Sequence, residues 1–392
     1  MKTRLAIFAT HPIQYQAPIW RQLANTPDLE VVVYYFNDSF LNGVIDPGFG
    51  VSVTWDVPLL EGYNNEFLSR DADIARPLSV KIPHIDTILK KGKFDWVMLE
   101  GYIYHFERQV IRAAKRIGIK VVMRGEFSDL RARNPLKTFI RNRYLKWFYS
   151  HVESFCYIGE NAKRHLLSRN INEKKLFFSP YNVDTDLLRE QNNIFDRAST
   201  RLRLGLSDKH VTFLFSGKLI PRKEPLLLLD AIEKLPDHTN VALIILGDGP
   251  LKKVVLERGS ALLGERFLFQ GFVNQSQLGQ YFLAADVFVH PSNHETWGLV
   301  VNEAMQFGLP AIVSDMVGCH RDLVVEGVTG YVFPSGDPDM LASCMQKLFG
   351  NKKLSKKLGQ NAFEKISNYS TQYAAKGILN AIGCNSNNSE NG

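Results

Sequence analysis

The amino-acid sequence predicts an α/β protein of two domains, each built on a parallel β-sheet that is covered by helices. First, a chain of 392 residues is longer than a single hydrophobic core usually supports, so two domains of ~150–200 residues are expected. Second, short apolar segments alternate with helical stretches in both halves, and continuously apolar strands are typical of a buried parallel sheet. Third, a polar stretch with weak periodicity, at residues 184–207, separates the two halves.

Apolar segments of the first half predict its strands. The predicted strands lie at residues 5–10, 29–36, 96–100, 120–124 and 155–159, and the predicted helices at 19–25, 106–117, 135–148 and 162–169. The second half repeats this alternation. Its predicted strands lie at residues 211–217, 241–247, 267–271, 287–290 and 311–314, with helices between them, for example at 225–234 and 299–307.

These segments define the expected domain organisation. We expect a first domain at residues 1–184, a linker at 185–207, a second domain at 208–370, a helix crossing back to the first domain at 371–383 and a disordered tail at 384–392. Two such domains joined once leave a cleft at the carboxyl edges of their sheets, where ligands usually bind.

The composition is that of a globular protein without a membrane span. Hydrophobic residues make up 45% and charged residues 22% of the chain, and no run of about eighteen apolar residues occurs. The N-terminal segment predicts a short strand rather than a signal peptide, because His11 and Pro12 soon interrupt it. The cysteines at positions 156, 319, 344 and 384 lack metal-ligand spacing. A reducing, cytoplasmic setting without a metal site is therefore expected.

Two carboxylates, Glu295 and Glu303, stand at the end of a predicted strand and within the next helix. Trp297, Gly298 and Leu299 fall at the start of that helix, where backbone N–H groups without helical partners can bind a phosphate. This arrangement suits a phosphorylated ligand that also carries hydroxyl groups. A helix-capping acid followed by an ordinary surface glutamate would have the same spacing, so the pair alone leaves both interpretations open.

Two lysines follow another predicted strand of the second domain. Gly217 allows a tight turn there, and Lys218 and Lys223 can converge on a diphosphate. Two cations paired with a leaving diphosphate can assist its departure without a metal. Exposed loop lysines are the alternative for either residue taken singly.

Glycine turns also end two neighbouring strands. Gly247 begins one of these turns, and a plain tight turn is the alternative interpretation. Phe272 and Val273 follow the next strand and can frame a flat base, although a simple strand–loop junction fits equally well.

The first domain offers polar side chains near its own predicted strand ends. The acceptor-side candidates are His11, Gln14, Tyr15, His105, Arg124 and Glu126. Glutamine and tyrosine can hydrogen-bond a sugar or a phosphate, and an acid beside a base can contact an acceptor. Glu126 is the preferred acceptor-side group, and His105 comes second because a lone histidine is more often structural.

Positive charge is concentrated at residues 131–148. The net charge of the chain is +7, and this segment has bases at positions 131, 133, 137, 141, 143 and 146 without an acid. Leu136, Phe139, Ile140, Tyr144 and Trp147 form one helical stripe within it. The segment predicts contact with an anionic membrane surface or lipid-linked acceptor, or else a packed helix with a solvated basic rim. Nucleic-acid binding is not expected, because the aromatic residues belong to the apolar stripe.

A series of short motifs runs through the second half in a fixed order. They are FSGKL at 215–219 with Lys223, LGDGP at 246–250, GFV at 271–273, VHPS at 289–292, ETWGLVVNEAM at 295–305, GLPAIV at 308–313 and GVTGY at 327–331. Together they resemble the family 4 glycosyltransferases, which are retaining enzymes of the GT-B fold. The resemblance extends from about residue 211 to 349, and PYNVD at 180–184 resembles a further short segment of the family.

The resemblance implies two Rossmann-like domains facing across a cleft and a role for each motif. Lys218, in place of a usual arginine, and Lys223 would hold the diphosphate of a nucleotide-sugar. Glu303 would accept hydrogen bonds from the ribose, Glu295 would meet the donor sugar, and the amides at 297–299 would bind the diphosphate. No metal or other cofactor is implied.

The first domain departs from the family pattern. Residues 11–15 replace a Gly-Gly pair of many members, and residues 124–126 replace a histidine. We expect a retaining glycosyltransferase that moves a sugar from a UDP- or GDP-type donor to a hydroxyl acceptor, in surface polysaccharide, glycolipid or related glycan synthesis. It would work in the cytoplasm or at the inner face of the cytoplasmic membrane. A nucleotide-sugar epimerase of similar fold and a non-catalytic nucleotide-sugar-binding subunit are the alternatives.

Overall fold

The structure is a computed structural model, which describes residues 2–41, 43–45, 48–50, 52–127, 129 and 134–384. The chain divides into two compact units. The first unit comprises Met1–Asn42, Pro58–Tyr181 and Ser370–Gly392, and the second comprises Gly43–Val57 and Asn182–Tyr369. The expected boundary near residue 184 is close to the observed one, but the short segment 43–57 of the first half belongs to the second unit.

Fifteen strands lie within the described residues. They are Thr3–Phe8 (β1), Leu29–Tyr35 (β2), Val44–Ile45 (β3), Ser52–Val53 (β4), Asn64–Phe67 (β5), Trp96–Leu99 (β6), Lys120–Gly125 (β7), Ser154–Tyr157 (β8), Leu176–Phe178 (β9), Val211–Ser216 (β10), Val241–Leu246 (β11), Phe267–Gly271 (β12), Val287–His290 (β13), Ala311–Ser314 (β14) and Gly330–Phe333 (β15).

The α-helices surround these strands in both units. They are Ala17–Ala24 (α1), Ile85–Gly92 (α2), His105–Ile117 (α3), Pro135–Tyr149 (α4), Glu160–Leu167 (α5), Thr185–Ile194 (α6), Arg197–Arg203 (α7), Pro225–Glu233 (α8), Lys252–Leu263 (α9), Leu278–Ala284 (α10), Leu299–Gln306 (α11), His320–Leu323 (α12), Pro338–Phe349 (α13), Lys352–Ile366 (α14) and Thr371–Ile382 (α15). Short 3-10 helices lie at Ser39–Leu41, Glu173–Lys175, Pro221–Lys223, Gly264–Arg266, Gln275–Gln277 and Ser367–Tyr369.

Each unit contains one parallel sheet, as the sequence predicts. The first has seven strands in the order β5-β2-β1-β6-β7-β8-β9, and the second has six in the order β12-β11-β10-β13-β14-β15. The strands β6 and β11 are buried along their whole length, which agrees with their continuously apolar sequences. The strand order reverses between β1 and β6 and between β10 and β13, and ligands of such sheets bind at the carboxyl ends beside that reversal.

The structure differs from the expected elements in several places. The strands β3, β4, β5, β9 and β15 and the helix α2 were not predicted. The strand β5 has the sequence NNEF, which contains no apolar run, and β9 has only three residues. The expected linker at 185–207 contains α6 and α7, which are capped by Asp184 and Asp196. Both helices pack within the second unit, where Gln191 Nε2 donates to the Gln275 carbonyl oxygen at 2.7 Å.

The C-terminal helix α15 belongs to the first unit, as expected for a helix that crosses back. The Ser179 hydroxyl donates to the Ala374 carbonyl oxygen at 2.7 Å, and the Ser154 hydroxyl donates to that of Ala381 at 2.8 Å. Ile378 is fully buried between them in the core of that unit. The predicted tail lies outside the described residues, apart from Cys384.

Candidate functional site

The reversal in the second sheet brings the most informative predicted residues together. The loop after β10 contains Lys223, and the loop after β13 contains Glu295. Ser292 Oγ donates to the Arg222 carbonyl oxygen at 3.0 Å, as does the Asn293 amide at the same distance. These bonds join the two loops and fix the position of Lys223 relative to Glu295.

Lys223 and Glu295 form an ion pair through Nζ and Oε2. Their side chains are only 13% and 17% exposed. Behind them lies His290, which is fully buried and whose Nε2 is 3.8 Å from Glu295 Oε2, beyond hydrogen-bonding distance. Neither ring nitrogen of His290 has a hydrogen-bond partner among the described residues. His290 was not among the predicted site residues, although its place at a strand end was a usable signal.

The charge state of this cluster follows from its burial and its neighbours. Burial would raise the pKa of Glu295, but the adjacent His290 ring and the Lys223 ammonium outweigh it and lower that pKa to about 2. Burial lowers the pKa of Lys223, and the Glu295 carboxylate opposes this change. Burial also lowers the pKa of His290. The cluster therefore holds an ionised carboxylate and a neutral imidazole near pH 7.

Helix α11 begins directly beside this cluster. Its N-cap, Gly298, has a left-handed φ of 101°, and a Cβ there would lie 3.0 Å from Val317 Cγ1. The Trp297 ring is buried and its Nε1 donates to Asn302 Oδ1 at 2.9 Å, so that side chain supports the turn. Leu299, the first helical residue, is partly exposed. The helix thus begins at the residues where the sequence predicts it, with Gly298 as its N-cap.

Glu303 is more enclosed than a simple surface carboxylate would be. Only 2% of its surface is exposed, and Gln275 Nε2 lies 3.4 Å from its Oε1. The structure therefore removes the interpretation of Glu303 as an ordinary surface glutamate.

Three strand-end loops, at residues 216–224, 247–250 and 271–273, are linked by backbone hydrogen bonds. The Leu219 amide donates to the Asp248 carbonyl oxygen at 2.9 Å, and the Gly247 amide donates to that of Gly271 at 2.7 Å. Gly247 has a φ of 140°, and a Cβ there would lie 1.9 Å from the Gly217 carbonyl oxygen. This position therefore requires glycine for close approach.

Two predicted ligand contacts lie on these loops. Lys218 is partly exposed, and its charge contributes to lowering the pKa of Lys223, so the two lysines lie near one another. Phe272 and Val273 are also partly exposed. The second unit thus brings all the predicted donor-side residues to one edge of its sheet.

The first unit contains a cavity of about 280 Å³ at the carboxyl ends of β1, β6 and β7. Its lining includes Thr10, Gln16, Glu100, Arg124, Glu126 and Tyr181. Gln16 Nε2 donates to Glu100 Oε1 at 2.7 Å, whereas Gln16 Oε1 is buried without a hydrogen-bond partner among the described residues. Glu100 was not predicted, although a carboxylate directly after β6 satisfies the same rule that selected Glu126.

Two carboxyls near this cavity have raised pKa values. Burial raises the pKa of Glu100 to about 7, although the charge of Arg124 and the hydrogen bond from Gln16 oppose the rise. Burial raises the pKa of Glu107 to about 8, although its hydrogen bond from the Tyr104 amide opposes this change. Both side chains can therefore carry a proton near neutral pH.

The predicted acceptor-side residues are not all in this cavity. Arg124 and Glu126 line it, but Arg124 is 2% exposed, with Nε donating to Ser179 Oγ at 2.9 Å. The Arg124 guanidinium is thus held by partners of its own unit, which limits the acceptor contact expected of it. Glu126 is exposed and accepts a hydrogen bond from the Tyr181 hydroxyl at 2.8 Å.

The other four candidates lie outside the lining of the cavity within the described chain. His11 approaches Thr10 Oγ1 at 2.9 Å, and burial lowers its pKa to about 4. Gln14 is buried and Tyr15 is partly exposed. The pKa of His105 is lowered by partial burial and then by three neighbouring cations, which keeps its ring neutral.

Helix α4 buries a different face from the predicted stripe. Leu145, Phe148 and Tyr149 are buried, whereas three members of the stripe, Leu136, Phe139 and Ile140, are 60–67% exposed. Leu145 and Phe148 are spaced to share one helical face, and that second apolar face was overlooked. Arg131 and Arg133 lie outside the described residues. Arg141 is not a solvated base either, because Nη1 contacts Asp129 at 2.7 Å and Nη2 donates to the Tyr102 hydroxyl at 3.0 Å.

No group of three or more His, Cys, Asp or Glu side chains in the described part of the chain could hold a metal ion. No described helix is both long enough and apolar enough to cross a membrane.

Comparison with known sequences points to one family for the second unit. Residues 196–365 match the family model "Glycosyl transferases group 1". A D-inositol 3-phosphate glycosyltransferase from Streptomyces avermitilis is 33% identical over 177 residues, which cover 42% of this chain and 38% of that relative. Two other curated relatives are covered over only 44% and 51% of their own length. The chain thus spans about half or less of these relatives.

Comparison with solved structures extends the fold to nearly the whole chain. HepE from Anabaena, solved in complex with UDP, superposes with a TM-score of 0.71 and 16% identity, covering 98% of this chain and 100% of that one. A candidate UDP-N-acetylglucosamine 2-epimerase from Listeria monocytogenes has a TM-score of 0.62 and 16% identity, covering 97% and 96%. Identities this low establish the fold alone, which is shared with GT-B proteins. The match to the glycosyltransferase model thus concerns residues 196–365, and the shared fold concerns nearly the whole chain.

Proposed function

We propose that this protein is a retaining glycosyltransferase that moves a sugar from a nucleoside diphosphate sugar to a hydroxyl acceptor. The observation that carries the proposal is the cluster of Lys223, Glu295 and His290 beside the start of α11, at the strand reversal of the second sheet. A cation and a helix N-terminus suit a diphosphate. An ionised carboxylate and an imidazole without a partner among the described residues suit sugar hydroxyls.

The donor residues would divide between the parts of the ligand. Lys218, Lys223 and the amides at 297–299 would bind the diphosphate, and Glu295 would accept hydrogen bonds from the sugar. Glu303 would bind the ribose, and its burial means that only a closely fitted hydroxyl reaches it. Phe272 and Val273 would lie along the base, with Gly217 and Gly247 allowing the loops to approach. HepE, a protein of the same fold, binds UDP, which supports a nucleotide donor.

The chemistry requires stabilisation of charge on the leaving group. The bond between the anomeric carbon and the phosphate oxygen breaks, and a bond from the acceptor oxygen forms on the same face. The acceptor proton passes to the departing phosphate oxygen, so no protein carboxylate is needed as nucleophile. Lys218 and Lys223 would stabilise the growing negative charge, and the proposal includes no metal requirement. Turnover should then persist in the presence of a chelator.

The cavity of the first unit is our proposed acceptor site. Arg124 and Glu126 line it together with Glu100 and Gln16. Arg124 already donates to Ser179 and Pro180. By contrast, Glu100 and the Gln16 Oε1 atom, which has no partner in the described part of the chain, offer hydrogen bonds to hydroxyl groups. A polyhydroxylated acceptor therefore fits this cavity better than a multiply charged anion. Glu126 keeps its proposed role at the acceptor, shared now with Glu100.

Helix α4 supports a peripheral position at an anionic membrane or a lipid-linked acceptor. Leu136, Phe139 and Ile140 are exposed apolar side chains, and Lys137 and Lys146 on the same helix are exposed bases. Apolar insertion combined with positive charge is how amphipathic helices bind such surfaces. We propose a role at the inner face of the cytoplasmic membrane in surface polysaccharide, glycolipid or related glycan synthesis.

A panel of UDP- and GDP-sugars tests the donor assignment. Wild-type protein should be stabilised by its donor in a thermal shift assay and should hydrolyse it slowly, with the product sugar first released in the anomeric configuration of the donor. Lys223→Met should abolish both effects, and Lys253→Met, at a side chain that is 89% exposed, should retain them. No stabilisation by any nucleotide-sugar, or release of the opposite anomer, would contradict the proposal.

A nucleotide-sugar epimerase is the second candidate, because one solved protein of this fold is a candidate epimerase. Such an enzyme would convert the donor into an epimer or release a free sugar completely without an acceptor. Slow hydrolysis that accelerates when an acceptor is added would favour the transferase. A non-catalytic binding subunit would bind the donor and leave it intact under both conditions.

A further inference from the structure

A short segment from the first half of the chain is built into the second unit. Residues 43–57 include the antiparallel strands β3 and β4, and they group with the second unit although their sequence neighbours on both sides belong to the first. Asn274 Nδ2 donates to the Thr54 carbonyl oxygen at 2.6 Å, and the Ser276 hydroxyl donates to Asp56 Oδ2 at 2.5 Å. These bonds attach the segment directly after the loop at 271–273.

The segment brings an aromatic ring onto the strand-end loops. The Phe49 ring centroid is 5.1 Å from that of Phe272, with the rings at 75°, and Trp55 is 6.1 Å from Phe272 on the same segment. Lys218 Nζ lies 4.9 Å from the Phe49 centroid. A Cβ on Gly249 would lie 3.0 Å from the Gly48 carbonyl oxygen, so the segment also closely approaches the loop at 247–250. One ring thus touches residues proposed to hold both the base and the diphosphate.

The contact between Lys218 and Phe49 should be replaced when an anionic ligand binds Lys218. An ammonium group gains far more from a diphosphate than from the face of a phenyl ring, since the latter contact is weak at exposed sites. A nucleotide bound at Lys218 would therefore replace the contact between Lys218 and Phe49. The ring would remain attached through the segment, close to Phe272, where an aromatic face is available to a flat base.

We propose that Phe49 is a donor-binding residue, whose ring stacks on the nucleobase beside Phe272 and thereby selects ligands that carry a base. This inference rests on the proposed function, because it assigns part of the same donor site. Phe49 does not belong to the strand-end motifs of the second unit, since it lies more than 160 residues before Lys218 along the chain. Stacking on an aromatic ring is tolerant of base identity, so Phe49 would recognise the presence of a base more than its type.

Two probes separate stacking from phosphate binding. UDP carries both a base and a diphosphate, whereas inorganic pyrophosphate carries only the charge. Phe49→Ala should raise the Kd for UDP by roughly tenfold and leave the Kd for pyrophosphate unchanged, as measured by calorimetry. Phe49→Trp should restore UDP binding, because it restores an aromatic face. Phe363→Ala removes another half-exposed phenyl ring, on α14, and should change neither value.

The outcomes distinguish this inference from the proposed function. An unchanged or lower Kd of Phe49→Ala for UDP would overturn the role of Phe49, and so would an equal loss of pyrophosphate binding. If Lys223→Met weakens UDP binding at the same time, the donor site itself stands. If wild-type protein binds no nucleoside diphosphate at all, the proposed function fails together with this inference. Circular dichroism of Phe49→Ala should match the wild type, because the ring is only partly buried.

Discussion

The ion pair between Lys223 and Glu295 can be tested by a double-mutant cycle. Lys223→Met and Glu295→Gln each remove one charge from a pair whose side chains are 13% and 17% exposed. Each single variant leaves the other group enclosed without its partner, which is the costly outcome for a buried charge. The double variant removes both charges and so avoids much of that cost.

The pKa of Glu295 sets the magnitude. It falls from an ordinary 4.5 to about 2 in the folded protein. At about 1.4 kcal/mol per tenfold change in proton affinity, this fall corresponds to about 3 kcal/mol. The His290 ring is the first favourable influence on that pKa and Lys223 is the next, so we assign about 1–2 kcal/mol of it to Lys223. Because the pKa of this carboxyl is lower in the folded protein than in the unfolded chain, its ionised form stabilises the fold above pH 4.5. This stabilisation is lost as the pH falls towards about 2.

The assay is urea unfolding at pH 7, and amide hydrogen exchange of β10 and β11 is its readout. This readout isolates the second unit, because a chain with two units need not unfold in one step. Each single variant should lower the free energy of unfolding by about 1–2 kcal/mol, with a coupling of similar size between them. Lys253→Met should change it by less than about 0.5 kcal/mol. Strictly additive effects would refute the reasoning, since they would mean that the two groups do not interact.

Three further predictions follow from other parts of the molecule. Glu100→Gln should raise the melting temperature at pH 8 and leave it unchanged at pH 4, because a carboxyl with its pKa raised to about 7 destabilises the fold once it ionises; equal shifts at both pH values would contradict this. Gly247→Ala should destabilise the second unit by about 2–4 kcal/mol and weaken UDP binding, since a Cβ would lie 1.9 Å from a backbone oxygen; a thermal melt like that of wild type would exclude this constraint. Replacing Leu136, Phe139 and Ile140 with serine should reduce sedimentation with anionic liposomes while preserving the melting temperature, because these side chains are 60–67% exposed; undiminished sedimentation would leave the apolar face without a role.

The residues of the proposed donor side could be located from the sequence because their signals are local. A buried apolar strand followed by a glycine turn places the next polar residue at the carboxyl edge of a parallel sheet, which correctly grouped Lys218, Lys223 and Glu295. The same rule applied to β6 would have found Glu100. His290 was passed over because its neighbours along the chain look like core, and only the fold reveals that its ring lies beside Glu295.

The remaining features depend on contacts between residues far apart in the sequence. Arg124 was expected to be accessible, but its partners Ser179 and Pro180 lie about 55 residues away and enclose it. Helix α4 carries two apolar faces, and periodicity alone does not tell which one meets the core. Phe49 has no local motif at all, since its relevance comes from Phe272, more than 220 residues later.

The pKa of Glu295 in the second unit is lowered, whereas that of Glu100 in the first unit is raised. This difference fits the donor and acceptor roles that we propose for the two units. Glu295 stands beside a lysine and stays ionised across the physiological range, so it can only accept hydrogen bonds. Burial of Glu100 outweighs the influence of Arg124 and Gln16, and its pKa of about 7 lets it donate or accept a hydrogen bond near neutral pH. A donor is always a polyhydroxylated anion, for which one fixed charge pattern suffices. The hydroxyl group of the acceptor substrate first donates a hydrogen bond to the protein and then loses its proton. A carboxyl group whose pKa is near 7 can contact that hydroxyl in both states. The pH dependence of turnover between 6 and 8 should therefore follow the acceptor side, and Glu100→Gln should flatten it while leaving the Kd for UDP unchanged.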